Sequence, residues 1–133
     1  GSRDATREEC KKAWADFPYK DDVIEFISGQ ASGADSFEEE IADELGIHVE
    51  SFPVEWGDLS VPGAIPKYNR FGKLYNRVAG LQRNERMAQY ASSSLDYQGA
   101  LLHVWKNNSP GTRHMIEMAR KYNLLIYPEV KIP

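Results

Sequence analysis

The stretch VIEFISGQASGAD at residues 23–35 decides the fold class of this chain. Val23 to Ile27 is a short β-branched and aromatic run, which predicts a buried strand. Gly29 and Gly33 follow it directly, and helical periodicity begins at Ala34. Glycines permit positive φ and close backbone approach, and a helix start exposes unpaired N–H groups. The turn after this strand therefore fits an anion.

The same turn also fits a simple strand-to-helix connection, in which Ser32 or Asp35 caps the helix. Outside it, helix and strand patterns alternate. The predicted helices are 5–16, 34–45, 78–91 and 111–122, and the predicted strands are 23–27, 47–52, 99–105 and 124–127. We expect Asp4 or Thr6 to cap the first helix. The alternation predicts an α/β fold with a mostly parallel sheet, helices on both faces and right-handed crossovers.

Residues 54–77 are too rich in Gly and Pro for a long helix or strand, which predicts a long insertion loop. Such a loop in a compact domain is typically a lid, a binding loop or a partner surface. At 133 residues, 1–133 is predicted to be one domain with a single packed core.

The formal net charge is −4, so the molecule as a whole has no electrostatic attraction for nucleic acid or an anionic membrane. An anionic ligand needs a local basic site. The sequence shows no membrane-spanning stretch and no signal peptide, and we expect a cytoplasmic protein.

Cys10 is the only cysteine, which excludes an internal disulfide and a multi-thiolate metal site and fits a reducing compartment. The three histidines share no ligand spacing, so neither a metal nor a cofactor is expected. His103 lies in a predicted strand and is expected to be a satisfied core residue. His114 follows Thr112 on a first helical turn and is a weaker candidate for the pocket.

A second loop, NNSPGT at residues 107–112, also follows a predicted strand and precedes a helix. A proline at a helix start and a hydroxyl near its amino end suit either a cap or a phosphate. The carboxyl ends of parallel strands meet at one edge of a sheet, where ligands bind. We therefore expect both loops to face one crevice.

Basic residues are concentrated before and within the third helix, in an otherwise acidic protein. They are Lys67, Arg70, Lys73, Arg77, Arg83 and Arg86, with Glu85 as the one acid between them. Guanidinium groups supply forked donors to phosphate oxygens, although a solvated basic surface has the same composition. Arg83 and Asn84 are the leading candidates. Trp56 suits stacking on a base, or simple packing of the loop.

Five blocks in order, GSRD (1–4), SGQASGAD (28–35), FPVEW (52–56), LQRNERMA (81–88) and SPGTRHM (109–115), resemble the SLOG superfamily. The resemblance covers nearly the whole chain and is greatest to the YspA/YpsA-related branch, common in bacteria and phages. It implies a Rossmann-like three-layer sandwich that binds a nucleotide or a nucleotide derivative, including ADP-ribose-like molecules. It also favours a homodimer or a higher homo-oligomer.

The resemblance places three loops and one helix around the pocket. The implied ligand-binding residues are Gly1, Ser2, Arg3, Ser28, Gly29, Gly33, Asp35, Arg83, Asn84, Gly111 and Thr112. In the family a central hydrophobic strand precedes the GSR motif, whereas this sequence begins at Gly1. Either the sequence was trimmed, or a partner supplies the strand, or Gly1-Ser2 is a cloning remnant. Because two strands would otherwise lack a neighbour, we expect an upstream segment in the natural protein.

The related LOG phosphoribohydrolases carry a glutamate in a GTxxE pattern, where this chain has Met115. Methionine cannot act as an acid, a base or a charge stabiliser, and Glu117 is about 200° further around the helix. We therefore favour binding, for sensing or sequestration, over hydrolysis. One alternative is a nucleotide-processing hydrolase that uses Asp35 or Glu55. A third hypothesis is an oligomerising interaction module. Its interaction surface would include Trp56, Tyr68, Phe71 and Tyr75.

Overall fold

The computed structural model describes residues 1–31 and 33–130, so Ser32, one of the two predicted caps, lies outside the described part. The helices are α1 (Arg7–Asp16), α2 (Ala34–Leu45), α3 (Ala79–Ala91) and α4 (Pro110–Lys121), with a 3-10 turn at Lys20–Asp22. The strands are β1 (Glu25–Ser28), β2 (His48–Ser51), β3 (Pro66–Tyr68), β4 (Leu74–Asn76), β5 (Ala100–Leu102) and β6 (Leu125–Tyr127). The predicted α/β class is confirmed.

The strands of the described residues form three separate pairs instead of one continuous sheet. β1 pairs with β2 and β5 pairs with β6, both in parallel, while β3 and β4 form an antiparallel hairpin. Each parallel pair encloses one helix in sequence, α2 in the first and α4 in the second. The pairing is therefore mostly parallel, as expected for connections that run through helices.

The hairpin corrects the prediction that residues 54–77 form a loop without strands. Its turn is held by Asn69, whose Oδ1 accepts hydrogen bonds from the N–H groups of Phe71 and Lys73 at 2.9 and 3.0 Å. Gly72 supplies a φ of +75° in the same turn. Strands of three residues are too short for an alternating pattern to be recognised in the sequence.

The helix ends follow local side-chain chemistry. Thr6 caps α1 and forms a capping box with Glu9, so the prediction of Asp4 or Thr6 resolves to Thr6. α2 ends at Gly46, whose φ is +68°. α4 begins with Pro110 at its first position, after the cap Ser109. In the described part of the chain, none of the helices is long and apolar enough to cross a membrane.

Among residues 1–31 and 33–130, buried apolar side chains form two small clusters. The larger joins α3 and α4 to β6 through Ala88, Ile116, Ala119, Leu124 and Ile126. The smaller joins α1 to α2 through Ala5, Cys10 and Phe37. Burial raises the pKa of the Cys10 thiol, which disfavours the reactive thiolate.

His103 is buried, as expected, but it is only partly satisfied, which corrects the prediction. Its Nε2 lies 2.8 Å from the Pro128 carbonyl oxygen, and burial lowers the pKa of the ring. Its Nδ1 has no partner within the described residues. A buried ring nitrogen without a partner costs free energy, so His103 destabilises the fold at this position.

Candidate functional site

Ser2 joins the beginning of the chain to the loop that precedes α4. Its N–H donates to the Val104 carbonyl at 2.8 Å, and its Oγ accepts from the Lys106 N–H at 2.8 Å. The same Oγ lies 3.4 Å from Thr112 Oγ1. Both hydroxyl-bearing residues are buried, Ser2 at 1% and Thr112 at 4% exposure. The first predicted loop and the phosphate-loop candidate are therefore in direct contact.

Gly33 joins the loop after β1 to the same segment. Its φ is +75°, and a Cβ at this position would lie 2.5 Å from the Arg3 carbonyl oxygen and 2.7 Å from that of Ser2. No larger residue fits without displacing the backbone of residues 2 and 3. The loop after β1 and the loop before α4 thus both contact the Gly1–Arg3 segment.

Arg83 reaches from the first half of α3 to the carboxyl ends of β1 and β2. Its Nη1 donates to the Gly29 and Phe52 carbonyl oxygens, and its Nε donates to Asn84 Oδ1 at 3.1 Å. A Cβ on Gly29 would lie 2.6 Å from Nη1 and 3.1 Å from Asp35 Oδ2. Glycine is therefore required for the guanidinium to approach this loop.

Positive charge is concentrated around Arg83. Burial lowers the pKa of its guanidinium, Asp35 opposes this effect, and the nearby cations Arg3 and Arg86 lower the pKa further. Three guanidinium groups thus act on one another across a site where Asp35 is the balancing carboxylate. In a protein of net charge −4, these residues form a local concentration of positive charge.

Asn84 is buried and links α3 to α4. Its Oδ1 accepts from Arg83, so its Nδ2 is the donor toward His114 Nδ1, 3.2 Å away. This bond requires a neutral His114 with its proton on Nε2. Burial lowers the pKa of His114, which favours that neutral form. His114 therefore belongs to the border of the site, beside Asn84.

The two helix starts differ in how their N–H groups are satisfied. Ser109 Oγ accepts from the Thr112 N–H at 3.5 Å and caps α4. The N-cap position of α2 is Gly33, without a side-chain bond, and Asp35 Oδ2 accepts from the Ala31 N–H at 3.1 Å instead. Asp35 thus holds the loop after β1. It does not cap α2, which corrects the alternative prediction of a cap at Asp35. Gly111 is exposed, and a Cβ there would meet nothing within 4 Å.

Ser28 is fully buried at the end of β1 and shapes the loop after it. Its Oγ accepts from the Gln30 N–H at 3.0 Å and donates to Glu39 Oε1 at 3.2 Å. Gln30 has a φ of +58°, a conformation that residues other than glycine rarely adopt. The hydrogen bonds of the Ser28 hydroxyl therefore help to fix the conformation of the loop after β1.

Trp56 lies apart from these loops. Its ring packs edge-on against Tyr75, with centroids 6.3 Å apart, and 45% of the residue is exposed. A Cβ on Gly80 would lie 3.6 Å from Trp56 Cη2, so the indole lies beside the first turn of α3. The contacts of Trp56 show that its ring packs within the protein. Stacking of the ring on a nucleotide base stays a prediction.

Two contributors to the site were missed in the sequence. Lys106 anchors Ser2 through its backbone, while its Nζ donates to the Asp4 carbonyl oxygen at 3.1 Å and to Glu9 Oε1 at 2.9 Å. Phe52 contributes a carbonyl oxygen to Arg83. The contribution of a backbone group cannot be predicted from the residue type. A single lysine after a strand is too common to indicate a site.

Within residues 1–31 and 33–130, no group of three or more His, Cys, Asp or Glu side chains is arranged to hold a metal ion. Comparisons with protein-family models, with curated proteins and with solved structures give no match for this chain.

Proposed function

We propose that this chain is a Rossmann-like domain that binds a phosphate-bearing nucleotide or nucleotide derivative, for sensing or sequestration. The observation that carries the proposal is the convergence of three loops: Ser2 contacts Thr112, while Gly33 packs against the backbone of Arg3. Loops that follow different parallel strands and meet at one edge are the usual location of ligand sites in α/β folds.

The charge of the site supports a phosphate as the recognised group. Arg3 is exposed and Arg83 is half-buried, and with Arg86 they act on one another electrostatically. An entering dianion would relieve this repulsion and would accept charge-assisted hydrogen bonds from guanidinium groups and from the start of α4. Asp35 would remain as the partner of the loop N–H groups.

Binding without turnover is supported by the residues that replace the LOG-type carboxylate. Met115 packs against the α3–α4–β6 core cluster instead of carrying charge. Glu117 is exposed and pairs with Arg113 at 3.4 Å. Neither residue supplies an acid or a base at the proposed pocket. A hydrolase would need to use Asp35 or Glu55 as its carboxylate.

The experiment that tests the proposed function is incubation of the purified protein with a panel of mono- and dinucleotides and ADP-ribose. Bound compounds are recovered by denaturation and identified by mass spectrometry. Recovery of intact ligand with a thermal shift supports the proposal. Recovery of a cleaved ligand would establish the hydrolase alternative, and the absence of any binding would reject both.

Two charge-neutralising variants locate the bound phosphate. Arg3→Gln should weaken binding about tenfold or more, because it removes a charge-assisted contact. Its side chain is exposed, so stability should be unaffected. Lys12→Gln on α1 removes one exposed positive charge elsewhere and should leave affinity within about twofold. Equal losses in the two variants would mean that only the net charge matters.

A second candidate function, homo-oligomerisation, is favoured by the β3–β4 hairpin. Tyr68 and Phe71 are 68% and 75% exposed, and Arg70 lies over the Phe71 ring at 4.8 Å. Exposed aromatic side chains of this kind are enriched at interfaces. Light scattering of the protein and of a Tyr68→Ser/Phe71→Ser double variant tests it. A dimer that the double variant abolishes supports the interface, and two monomers reject it.

A further inference from the structure

One face of the β3–β4 hairpin carries a row of positive charge. Cross-strand partners and every second residue of a hairpin lie on the same face. Lys67 pairs with Tyr75, and Lys73 and Arg77 lie two residues before and after Tyr75. Lys73 and Arg77 each form one further cross-strand backbone bond, so they continue the alternation. Lys67, Lys73 and Arg77 thus form a cationic face, and Tyr68 of the proposed dimer contact lies on the opposite face.

The three cations of this face are not neutralised by neighbouring carboxylates. Lys67, Lys73 and Arg77 are exposed, and within residues 1–31 and 33–130 they form no ion pair. The segment 59–84 contains no Asp or Glu, although the whole protein has a net charge of −4. Such a local excess of positive charge attracts a polyanion even when the molecule as a whole is acidic.

An aromatic notch lies in the middle of the cationic face. The Trp56 and Tyr75 rings have centroids 6.3 Å apart and an angle of 64° between their planes. Together with Asn69 they line a space of about 400 Å³. Trp56 is exposed and Tyr75 is half-buried, so both rings present surface to solvent. An aromatic surface beside cations is where unpaired bases stack, because every base has a π-face.

The hairpin is fixed against α3 by Asn76, which is 1% exposed. Its Oδ1 accepts from the Ile65 and Val78 N–H groups at 3.1 and 3.2 Å, and its Nδ2 donates to Gln82 Oε1 at 2.8 Å. Its backbone N–H donates to the Trp56 carbonyl oxygen at 2.7 Å, which holds Trp56 beside β4. The notch and the cations are therefore preorganised, so binding requires little ordering of the protein.

We infer that the cationic face of the β3–β4 hairpin binds single-stranded nucleic acid. One base stacks in the notch formed by Trp56 and Tyr75, and the phosphates on either side contact Lys67, Lys73 and Arg77. None of the three cations belongs to the glycine-loop site. The inference therefore goes beyond the proposed nucleotide site and does not depend on it.

A single strand fits this face better than the other partners that its charge would attract. In double-stranded nucleic acid the bases are stacked on one another, so none is accessible to the notch. In a two-fold dimer the same patch of both copies meets, which would place cations of like sign against one another. A single strand supplies both an accessible base and a row of phosphates.

The test measures the binding of a fluorescent oligothymidylate of about ten nucleotides by anisotropy. Salt is varied from about 50 to 300 mM, and we expect a Kd between about 1 and 100 µM at the lowest concentration. Each neutralised phosphate of a single strand contributes about 0.7 to the salt dependence. Three cations therefore predict a slope of log K against log salt of about −2.

Two double variants that remove the same charge separate the cationic face from the net charge. Lys67→Gln/Lys73→Gln should weaken binding about tenfold or more at the lowest salt and reduce the slope to about −0.7. Lys11→Gln/Lys12→Gln on α1 should leave the Kd within about twofold. All four lysines are exposed, so we expect unchanged thermal unfolding. Equal losses of affinity in the two variants would refute the inference.

Two substitutions at Trp56 test the stacked base. Trp56→Leu should weaken binding about tenfold, because the base loses one aromatic partner. Trp56→Phe retains a ring and should remain within about threefold of the unchanged protein. Amide spectra of the hairpin verify that both variants keep its fold. Equal affinity of all three proteins would show that no base occupies the notch, and would overturn the inference.

Three further outcomes would contradict it. A duplex that binds as tightly as the single strand would show that phosphates alone are recognised. Thymidine monophosphate that competes as strongly as the oligonucleotide would indicate a site for a free nucleotide. A change in molar mass of the Lys67→Gln/Lys73→Gln variant, measured by light scattering, would indicate an interface between copies. Affinity for ADP-ribose is measured on the same variants, so failure of this inference and failure of the proposed function are distinguishable.

Discussion

Gly33 and Gly46 both have positive φ, but they differ in ψ and in their surroundings. Gly46 is in the left-handed helical region, with φ +68° and ψ +28°, and a Cβ there would meet nothing within 4 Å. Gly33 has φ +75° and ψ −120°, which is closed to residues with a Cβ, and a Cβ there would also strike the Arg3 carbonyl oxygen. Substitution should therefore cost much more at Gly33 than at Gly46.

Gly46→Ala should lower the free energy of unfolding by about 1 kcal/mol, the cost of positive φ for a residue with a Cβ. Gly33→Ala should lower it by about 3 kcal/mol, because the φ and ψ of Gly33 are closed to alanine and the backbone of residues 2 and 3 must also move. Urea unfolding measures both. Equal losses would contradict the backbone conformation and the contacts described for Gly33.

Glu38 gives the protein a pH-dependent stability. Burial, then the Asp35 carboxylate, raise the pKa of Glu38 to about 8; Glu39 adds to the rise, while the N-terminal amine and the Ile27 N–H oppose it. A carboxyl whose folded pKa lies above its unfolded value retains its proton in the fold, so stability is highest at low pH and is lost as pH rises toward 8.

Between pH 5 and pH 8 this carboxyl should reduce the free energy of unfolding by roughly 3–4 kcal/mol. Glu38→Gln, which is neutral at every pH, should remove most of that decline and be the more stable protein at pH 8. Denaturant unfolding at both pH values, for the two proteins, measures the difference. Parallel declines in the two would contradict the assignment.

At the scale of elements, α4 depends on its cap. Ser109 Oγ accepts hydrogen bonds from the Thr112 N–H at 3.5 Å and from the Thr112 hydroxyl at 3.3 Å. Ser109→Ala should lower the free energy of unfolding by about 1 kcal/mol, whereas Ser109→Asp, another good cap, should retain most of it. Chemical denaturation compares the three proteins. An equal loss in both variants would mean that another group satisfies the start of α4.

The elements most accurately predicted are those with a strong periodic pattern and a clear stop. α2 begins and ends where the sequence predicts, because its apolar stripe runs into Gly46. β5 is shorter than the predicted 99–105, since only one of its edges is paired over Ala100–Leu102. The β3–β4 hairpin was missed because its pairing depends on the turn at Asn69 instead of on an apolar pattern.

The parts of the candidate site that the sequence predicts are those formed by glycine, serine and arginine residues. The contacts of Gly29, Gly33 and Arg83 follow from those residue types. Close approach of another group to the backbone requires a residue without a Cβ, and carbonyl oxygens from two loops require a long side-chain donor. What could not be predicted is the role of Ser2 as the link to Thr112, which depends on backbone pairing with Val104. The family resemblance and the nucleotide ligand stay predictions.

Across the whole molecule, Ser2 and Gly33 link the two parallel strand pairs. Gly33, which follows β1, packs against the backbone of Ser2 and Arg3. Ser2 pairs with Val104, which follows β5, and contacts Thr112 of α4. A ligand bound by both glycine loops would therefore contact residues from both strand pairs.

The most direct test is a titration of isotope-labelled protein with ADP-ribose, followed by the amide resonances. We expect the resonances of Gly29, Gly33, Gly111 and Thr112 to shift together and to fit a single Kd, while those of the β3–β4 hairpin stay unchanged. Shifts confined to one of the two loops, or two loops that titrate with different Kd values, would contradict a single anion enclosed by both.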